Sequence, residues 1–170
     1  MSIDGCVHDF TALANRVLPA HMIELEREMK SPIAMAAFSE KKVGVQTLLK
    51  RHGHGTDFSG CYVMLEDADP IYVGISRKVF SRLRQHVTDR THYGASLAYR
   101  MAQHALQKKG TRGDAMKDAA FRKMFDQKQT YLRSLDVAMV AIKNPVELYL
   151  FEVFAALTFK TSQWNTFETH

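Results

Sequence analysis

The feature that most constrains the fold is a pair of short apolar runs, GCYVML at 60–65 and PIYVGI at 70–75, separated by acidic residues. Both runs are rich in β-branched and aromatic residues, and turn-forming residues lie between them, so the pattern predicts a β-hairpin. The first run carries Gly-x-Tyr, ending at Tyr62, and the second carries Tyr-x-Gly, beginning at Tyr72. A plain hairpin does not need this matched pair, which indicates that the two tyrosines act together.

Helical patterns surround the hairpin, and one further β-prone run, DVAMVAI, follows them. Ser76 is placed to cap the helix after the hairpin, and Asn144, Pro145 and Glu147 form an N-x-x-E start for the last helix. Pro19 is expected to kink or divide the first helix. The predicted helices are 7–29, 32–51, one beginning near Ser76, 95–109, 114–135 and 144–159, and the predicted third strand is 136–142.

These elements predict an α+β protein with a small, three-stranded, mainly antiparallel sheet flanked by helices. We expect a helical N-terminal extension at residues 1–58 and a core at 59–170. The core carries a helical insertion at 89–135.

The composition indicates a cytoplasmic protein. No apolar run approaches the roughly 18 residues that cross a bilayer, and the N-terminus lacks the pattern of a signal peptide. The two cysteines, Cys6 and Cys61, are far apart and form no CxxC, which fits a reducing compartment and gives no zinc site.

The charge is concentrated in one part of the chain. Residues 77–134 hold 14 Lys+Arg and 4 Asp+Glu, whereas the rest holds 9 Lys+Arg and 14 Asp+Glu. A basic segment in an otherwise acidic chain is typical of a surface that binds a polyanion, although solvated helix faces give the same count.

The order of motifs resembles the GIY-YIG nuclease superfamily. GCY stands where the family has GIY, and YVG stands where it has YIG. Arg82 and His86 follow on the next helix, Glu152 lies in the late helix VELYLFEVFAAL, and Asn165 lies near the end. Cys61 replaces the middle isoleucine, and the proline that often precedes the late asparagine is absent. Small stand-alone members of the family with similar helical insertions include restriction endonucleases.

This resemblance implies a divalent-metal-dependent DNA endonuclease of restriction or defence type, using Mg²⁺, with Mn²⁺ as a substitute. Its expected partner is double-stranded DNA and not a membrane. Two alternatives stay open: a non-catalytic nucleic-acid-binding module on the same scaffold, and a structure-specific DNA repair nuclease. The preference for DNA over RNA and the formation of a homo-oligomer are also left open.

The resemblance assigns a role to each motif residue. Tyr62 is the base that takes a proton from the attacking water, and Tyr72 positions Tyr62, the water or the phosphate. Because a phenol ordinarily loses its proton only near pH 10, this role needs a nearby cation such as Arg82 or the metal. Glu152 is the metal ligand, since a carboxylate on an apolar helix needs a partner. Arg82 binds phosphate, His86 contacts a tyrosine or phosphate, and the supporting residues are Gly60, Gly74 and Asn165.

Each of these residues also has a structural interpretation. Strand tyrosines most often pack in a core, Glu152 and Arg82 could lie on exposed helix edges, and Glu147 is better explained as a helix-start residue. The basic segment adds candidates for contacts with the nucleic-acid backbone. These are Arg77, Lys78, Arg84, Arg100, Lys108, Lys109 and Arg112.

Overall fold

A computed structural model describes residues 2–108 and 110–167. Lys109, a predicted DNA contact, lies outside the described residues. The chain is an α+β protein with an antiparallel sheet and flanking helices, as the sequence predicts. No helix within the described ranges is long and apolar enough to cross a membrane.

The sheet of the described chain has four strands, in the order β1-β4-β2-β3. The three predicted strands are β2 (Gly60–Glu66), β3 (Asp69–Ser76) and β4 (Asp136–Ala141), and β2 pairs antiparallel with both others. The prediction of three strands is one short, because β1 (Ile33–Ala34) adds to the sheet beside β4. A two-residue strand cannot show the alternation on which a sequence-based prediction depends.

A two-residue turn joins β2 and β3. Asp67 and Ala68 both have left-handed backbone angles, with φ of 50° and 71°, as a type I′ hairpin turn requires. The register shifts once, between Met64 and Leu65. On the other side of this irregularity, Tyr62 lies directly opposite Gly74.

The N-terminal helix is continuous through Pro19. It consists of α1 (Phe10–Ala12), a π-helical turn (Leu13–Val17) and α2 (Leu18–Glu28). Pro19 lies in the first turn of α2, directly after the π-helical turn. Because proline lacks the N–H of a regular helical bond, a change of hydrogen-bonding pattern at this point accommodates it without ending the helix.

The single helix predicted at 32–51 is wrong. After β1 the chain forms a 3₁₀ helix (Met35–Ser39), and only Val45–Arg51 is α-helical, as α3. Lys42 between them has a φ of 63°, which a helix does not contain.

The helix predicted at 114–135 is divided at Asp118. This residue has an extended backbone, and its carboxylate accepts hydrogen bonds from the N–H groups of Ala120 and Phe121, so a new helix begins there. The two parts of the predicted helix are α6 (Arg112–Lys117) and α7 (Ala119–Arg133). The remaining helices agree with the predictions to within a few residues. They are α4 (Val79–Thr88), α5 (Ser96–Leu106) and α8 (Pro145–Phe159).

The chain forms two compact units. The first contains residues 1–33, 56–79 and 136–170, and the second contains residues 34–55 and 80–135. The predicted N-terminal extension is therefore divided between the two units.

In the first unit, β2, β3 and β4 pack against α2 and α8. The buried face of α2, with Leu18, Met22 and Leu25, needs this cover, which explains why the N-terminal helix belongs with the sheet. In the second unit the helices enclose an apolar core that contains several aromatic rings. Its largest fully buried rings are Phe38, Phe80, Tyr99, Phe121 and Phe125.

Candidate functional site

Tyr62 and Tyr72 lie side by side on the hairpin, with ring centroids 6.3 Å apart and ring planes inclined at 56°. Tyr62 extends across Gly74 of the neighbouring strand. A Cβ atom at position 74 would lie 2.5 Å from both Cζ and Oη of Tyr62, so only glycine leaves room for the phenol. The glycine of the Tyr-x-Gly motif is therefore needed to make room for the tyrosine ring of the Gly-x-Tyr motif.

The two tyrosines occupy the sheet face opposite to α8. Cys61, Val63 and Val73 belong to the core cluster formed with α2 and α8. Because successive side chains on a strand point to opposite faces, Tyr62 and Tyr72 point away from that cluster. Both are buried, with relative exposures of 1% and 8%.

Gly60 serves the packing of the sheet. A Cβ atom at this position would collide with the carbonyl oxygen of Val140 on β4. Gly60 therefore allows the backbones of β2 and β4 to approach each other closely.

Glu152 lies on the face of α8 that packs on the sheet. It is half-buried, and the buried Leu148 and Ala155 lie four residues before it and three residues after it. Burial, followed by the Glu152 charge, raises the pKa of the Cys61 thiol well above its usual value. The helix that carries Glu152 thus packs on the sheet face opposite to that of Tyr62, and it packs mainly against β3, the strand that the Tyr62 ring crosses.

Asn165 is bound to the outer edge of β3. Its Oδ1 atom accepts a hydrogen bond from the Val73 N–H at 2.9 Å, and its Nδ2 atom donates to the Val73 carbonyl at 2.8 Å. The side-chain amide thus pairs with the strand as another strand would. Asn165 supports the strand that carries Tyr72 and Gly74.

Arg82 and His86 lie one turn apart on α4, in the second unit. His86 is fully buried, and burial, followed by the charges of Arg82 and Arg100, holds its pKa well below the usual 6.5. The Arg82 guanidinium donates to the Gly94 carbonyl at 2.7 Å, to Ser96 Oγ at 2.8 Å and to Gln85 Oε1 at 3.3 Å. No pattern in the sequence predicts these three partners.

The other predicted DNA contacts have different surroundings. Arg84 donates to the Phe38 carbonyl at 3.1 Å, and Lys108 lies 2.6 Å from Asp118. Arg112 is exposed and lies 5.6 Å from the centroid of the Tyr99 ring. The remaining described candidates are the half-buried Arg100 and the exposed Arg77 and Lys78.

Glu147 has a different partner from the one that an N-x-x-E box implies. Asn144 caps α8 as predicted, accepting from the N–H groups of Val146 and Glu147. The Glu147 carboxylate instead lies 3.2 Å from His21 Nε2 and 4.0 Å from His8 Nε2. This contact joins the N-terminal segment to α8.

The five predicted catalytic residues are thus divided by unit. Tyr62, Tyr72 and Glu152 belong to the first unit, and Arg82 and His86 belong to the second. Within the described ranges, no group of three or more His, Cys, Asp or Glu side chains is arranged to hold a metal ion. Comparison of the chain with protein-family models, curated proteins and solved structures gives no match.

Proposed function

We propose that the protein is a divalent-metal-dependent DNA endonuclease that hydrolyses phosphodiester bonds, of restriction or defence type. The observation that carries the proposal is the arrangement of Tyr62, Gly74 and Tyr72. A glycine is required where the Tyr62 hydroxyl crosses β3, and a second phenol lies beside it. Core packing needs an apolar ring there but does not need a hydroxyl held over bare backbone.

The chemistry is divided among the named side chains. The Tyr62 oxygen accepts the proton of the attacking water, and Tyr72 holds that hydroxyl in place. Arg82 has five N–H donors, and its three bonds to Gln85, Gly94 and Ser96 fix the guanidinium while leaving two donors for phosphate oxygens. The low pKa keeps the His86 imidazole neutral, so it can accept a hydrogen bond.

Glu152 is the proposed ligand for Mg²⁺, for which Mn²⁺ can substitute. A carboxylate oxygen is a ligand that Mg²⁺ prefers, and this ion uses few protein ligands because water and phosphate complete its shell. The lack of a three-residue cluster in the described chain is compatible with such a site. When bound, the ion would stabilise charge on the phosphate and on the leaving oxygen.

A nucleic-acid-binding module without cleavage is the second candidate. The observation in its favour is burial, since Tyr62 is 1% exposed and His86 is fully buried. A base must reach its water, whereas a packing residue need not.

A cleavage assay separates these candidates. Supercoiled plasmid and branched DNA are incubated with the purified chain in Mg²⁺, Mn²⁺ or EDTA, with the Glu152→Gln variant in parallel. The endonuclease cuts only with metal, and the variant does not cut. Binding without cleavage under every condition supports the module, and cutting of branched DNA alone supports a repair nuclease.

A further inference from the structure

A cavity in the first unit lies at one end of the sheet, and no proposed catalytic role uses it. The register places Gly60 opposite both Ser76 and Ala141, so the start of β2 and the ends of β3 and β4 meet at this end. The first turns of α8 cover it. The cavity has a volume of about 440 Å³ and is lined by residues that include Ser59, Ser76, Arg77, Lys143, Leu148 and Tyr149.

The charged groups at this cavity are cations. Arg77 and Lys143 are exposed, and neither forms an ion pair with a carboxylate in the described part of the chain. No acidic residue within the described ranges lines the cavity, and the hydroxyls of Ser59 and Ser76 add hydrogen-bonding groups. Two free cations beside hydroxyl groups are suited to a phosphate group.

Tyr149 adds an aromatic surface to the same cavity. Its side chain is 64% exposed, whereas the preceding residue of α8, Leu148, also lines the cavity and is buried. An exposed ring beside unpaired cations is the arrangement that proteins use to stack a base while they hold its phosphate. The volume is also in the usual range for a pocket that takes one small ligand.

We propose that this cavity is a nucleotide subsite for a single-stranded segment of nucleic acid. Arg77 and Lys143 bind a backbone phosphate, and Tyr149 stacks on an unpaired base. The inference rests on the proposed function in one respect, because it takes a nucleic-acid strand as the ligand. It adds a second surface, separate from the tyrosine pair, that holds a strand end or an unpaired stretch.

The test measures binding of a short fluorescein-labelled oligothymidylate to the full chain in EDTA, so that cleavage does not interfere. Tyr149→Ala should weaken binding by about tenfold, as expected for one lost stack, and Tyr149→Phe should keep the wild-type affinity. Lys143→Gln should reduce the slope of log affinity against log salt by about 0.7. Lys30→Gln, which removes an exposed charge outside the cavity, is the matched control and should leave the slope unchanged.

The outcomes separate this inference from the proposed function. Wild-type protein that binds neither oligothymidylate nor duplex DNA would overturn both. Wild-type binding with unchanged affinity in Tyr149→Ala would overturn the nucleotide subsite and leave the nuclease proposal standing.

Duplex binding should be insensitive to Tyr149→Ala, because a paired base cannot stack on the ring. An equal loss with duplex would also overturn the subsite. Thermal melting of each variant establishes that it is folded.

Discussion

The hydroxyl end of Tyr62 lies directly over the backbone of Gly74, its cross-strand partner on the hairpin. The space above Gly74 is filled by the phenol, and the backbone there has no left-handed φ. This glycine is therefore needed for space and not for a turn. The Gly-x-Tyr and Tyr-x-Gly motifs thus each contribute one residue to the contact between Tyr62 and Gly74.

The first prediction concerns this contact. Gly74→Ala should destabilise the protein by about 1–3 kcal/mol, because the new methyl group forces the Tyr62 ring out of its position. Gly113→Ala is the matched control, since its added Cβ meets nothing within 4 Å beyond the backbone of its own helix. Urea unfolding of both variants measures the difference. An unchanged midpoint for Gly74→Ala would show that the ring is not confined.

The second prediction separates the hydroxyl of Tyr62 from its ring. Tyr62→Phe should keep the fold, and its single-turnover cleavage rate should fall by about 10² to 10⁴, the usual contribution of a positioned acid or base. Tyr72→Phe should lose less. If Tyr72→Phe is inactive while Tyr62→Phe cuts within a few-fold of wild type, the two roles are reversed. Normal cutting by both would leave the tyrosines as packing residues, with His86 the next base to test.

Glu152 can be tested by a readout that does not depend on cleavage. Its charge contributes to the raised pKa of Cys61, so Glu152→Gln should lower that pKa, which stays above normal because burial is the larger cause. The titration follows thiolate absorbance in a Cys6→Ser background. Glu147→Gln, a carboxylate removed from the same helix, should not shift the titration. The same Glu152→Gln protein should bind DNA and fail to cut it.

His86 predicts how stability depends on pH. Its pKa is lowered in the folded protein, whereas the unfolded chain binds a proton there below about pH 6.5. The unfolded state thus holds more protons as the pH falls below that value. The free energy of unfolding should then decrease by up to about 1.4 kcal/mol per pH unit, until the folded pKa is reached.

Urea unfolding between neutral and mildly acidic pH measures this slope. His86→Gln should flatten it. The control is His52→Gln. Burial, followed by the charges of His54 and Arg51, lowers the pKa of His52, but its ring is only partly buried. It should flatten the slope far less. Equal slopes for wild type and His86→Gln would mean that His86 is not neutral in the native state.

Local sequence signals predicted the elements that depend on neighbouring residues. The hairpin follows from two alternating runs around a turn, and the start of α8 follows from Asn144 and Pro145. The two-residue β1 and the break at Asp118 have weaker local signals, because pairing and side-chain capping decide them. The single helix expected at 32–51 was wrong because β1 pairs with β4 there and because Lys42 has a left-handed backbone.

The site was less accessible to sequence reasoning than the fold. Helical spacing placed Arg82 and His86 on one face of α4, but it could not predict that His86 is fully buried. The pairing of Asn165 with Val73 joins positions 92 residues apart, and no local pattern encodes it. The placement of Tyr62 on the sheet face opposite to α8, the helix that carries Glu152, follows from packing that only the folded chain defines.

The pairing of Asn165 with Val73 has a consequence for behaviour at high concentration. β3 is an edge strand, and an edge with unpaired N–H and C=O groups is a template for another chain. The two bonds from one amide occupy the middle of that edge. Asn165 therefore protects this edge from pairing with a strand of another molecule. A chain truncated before Asn165 would leave the N–H and C=O groups of Val73 unpaired and would be prone to aggregation.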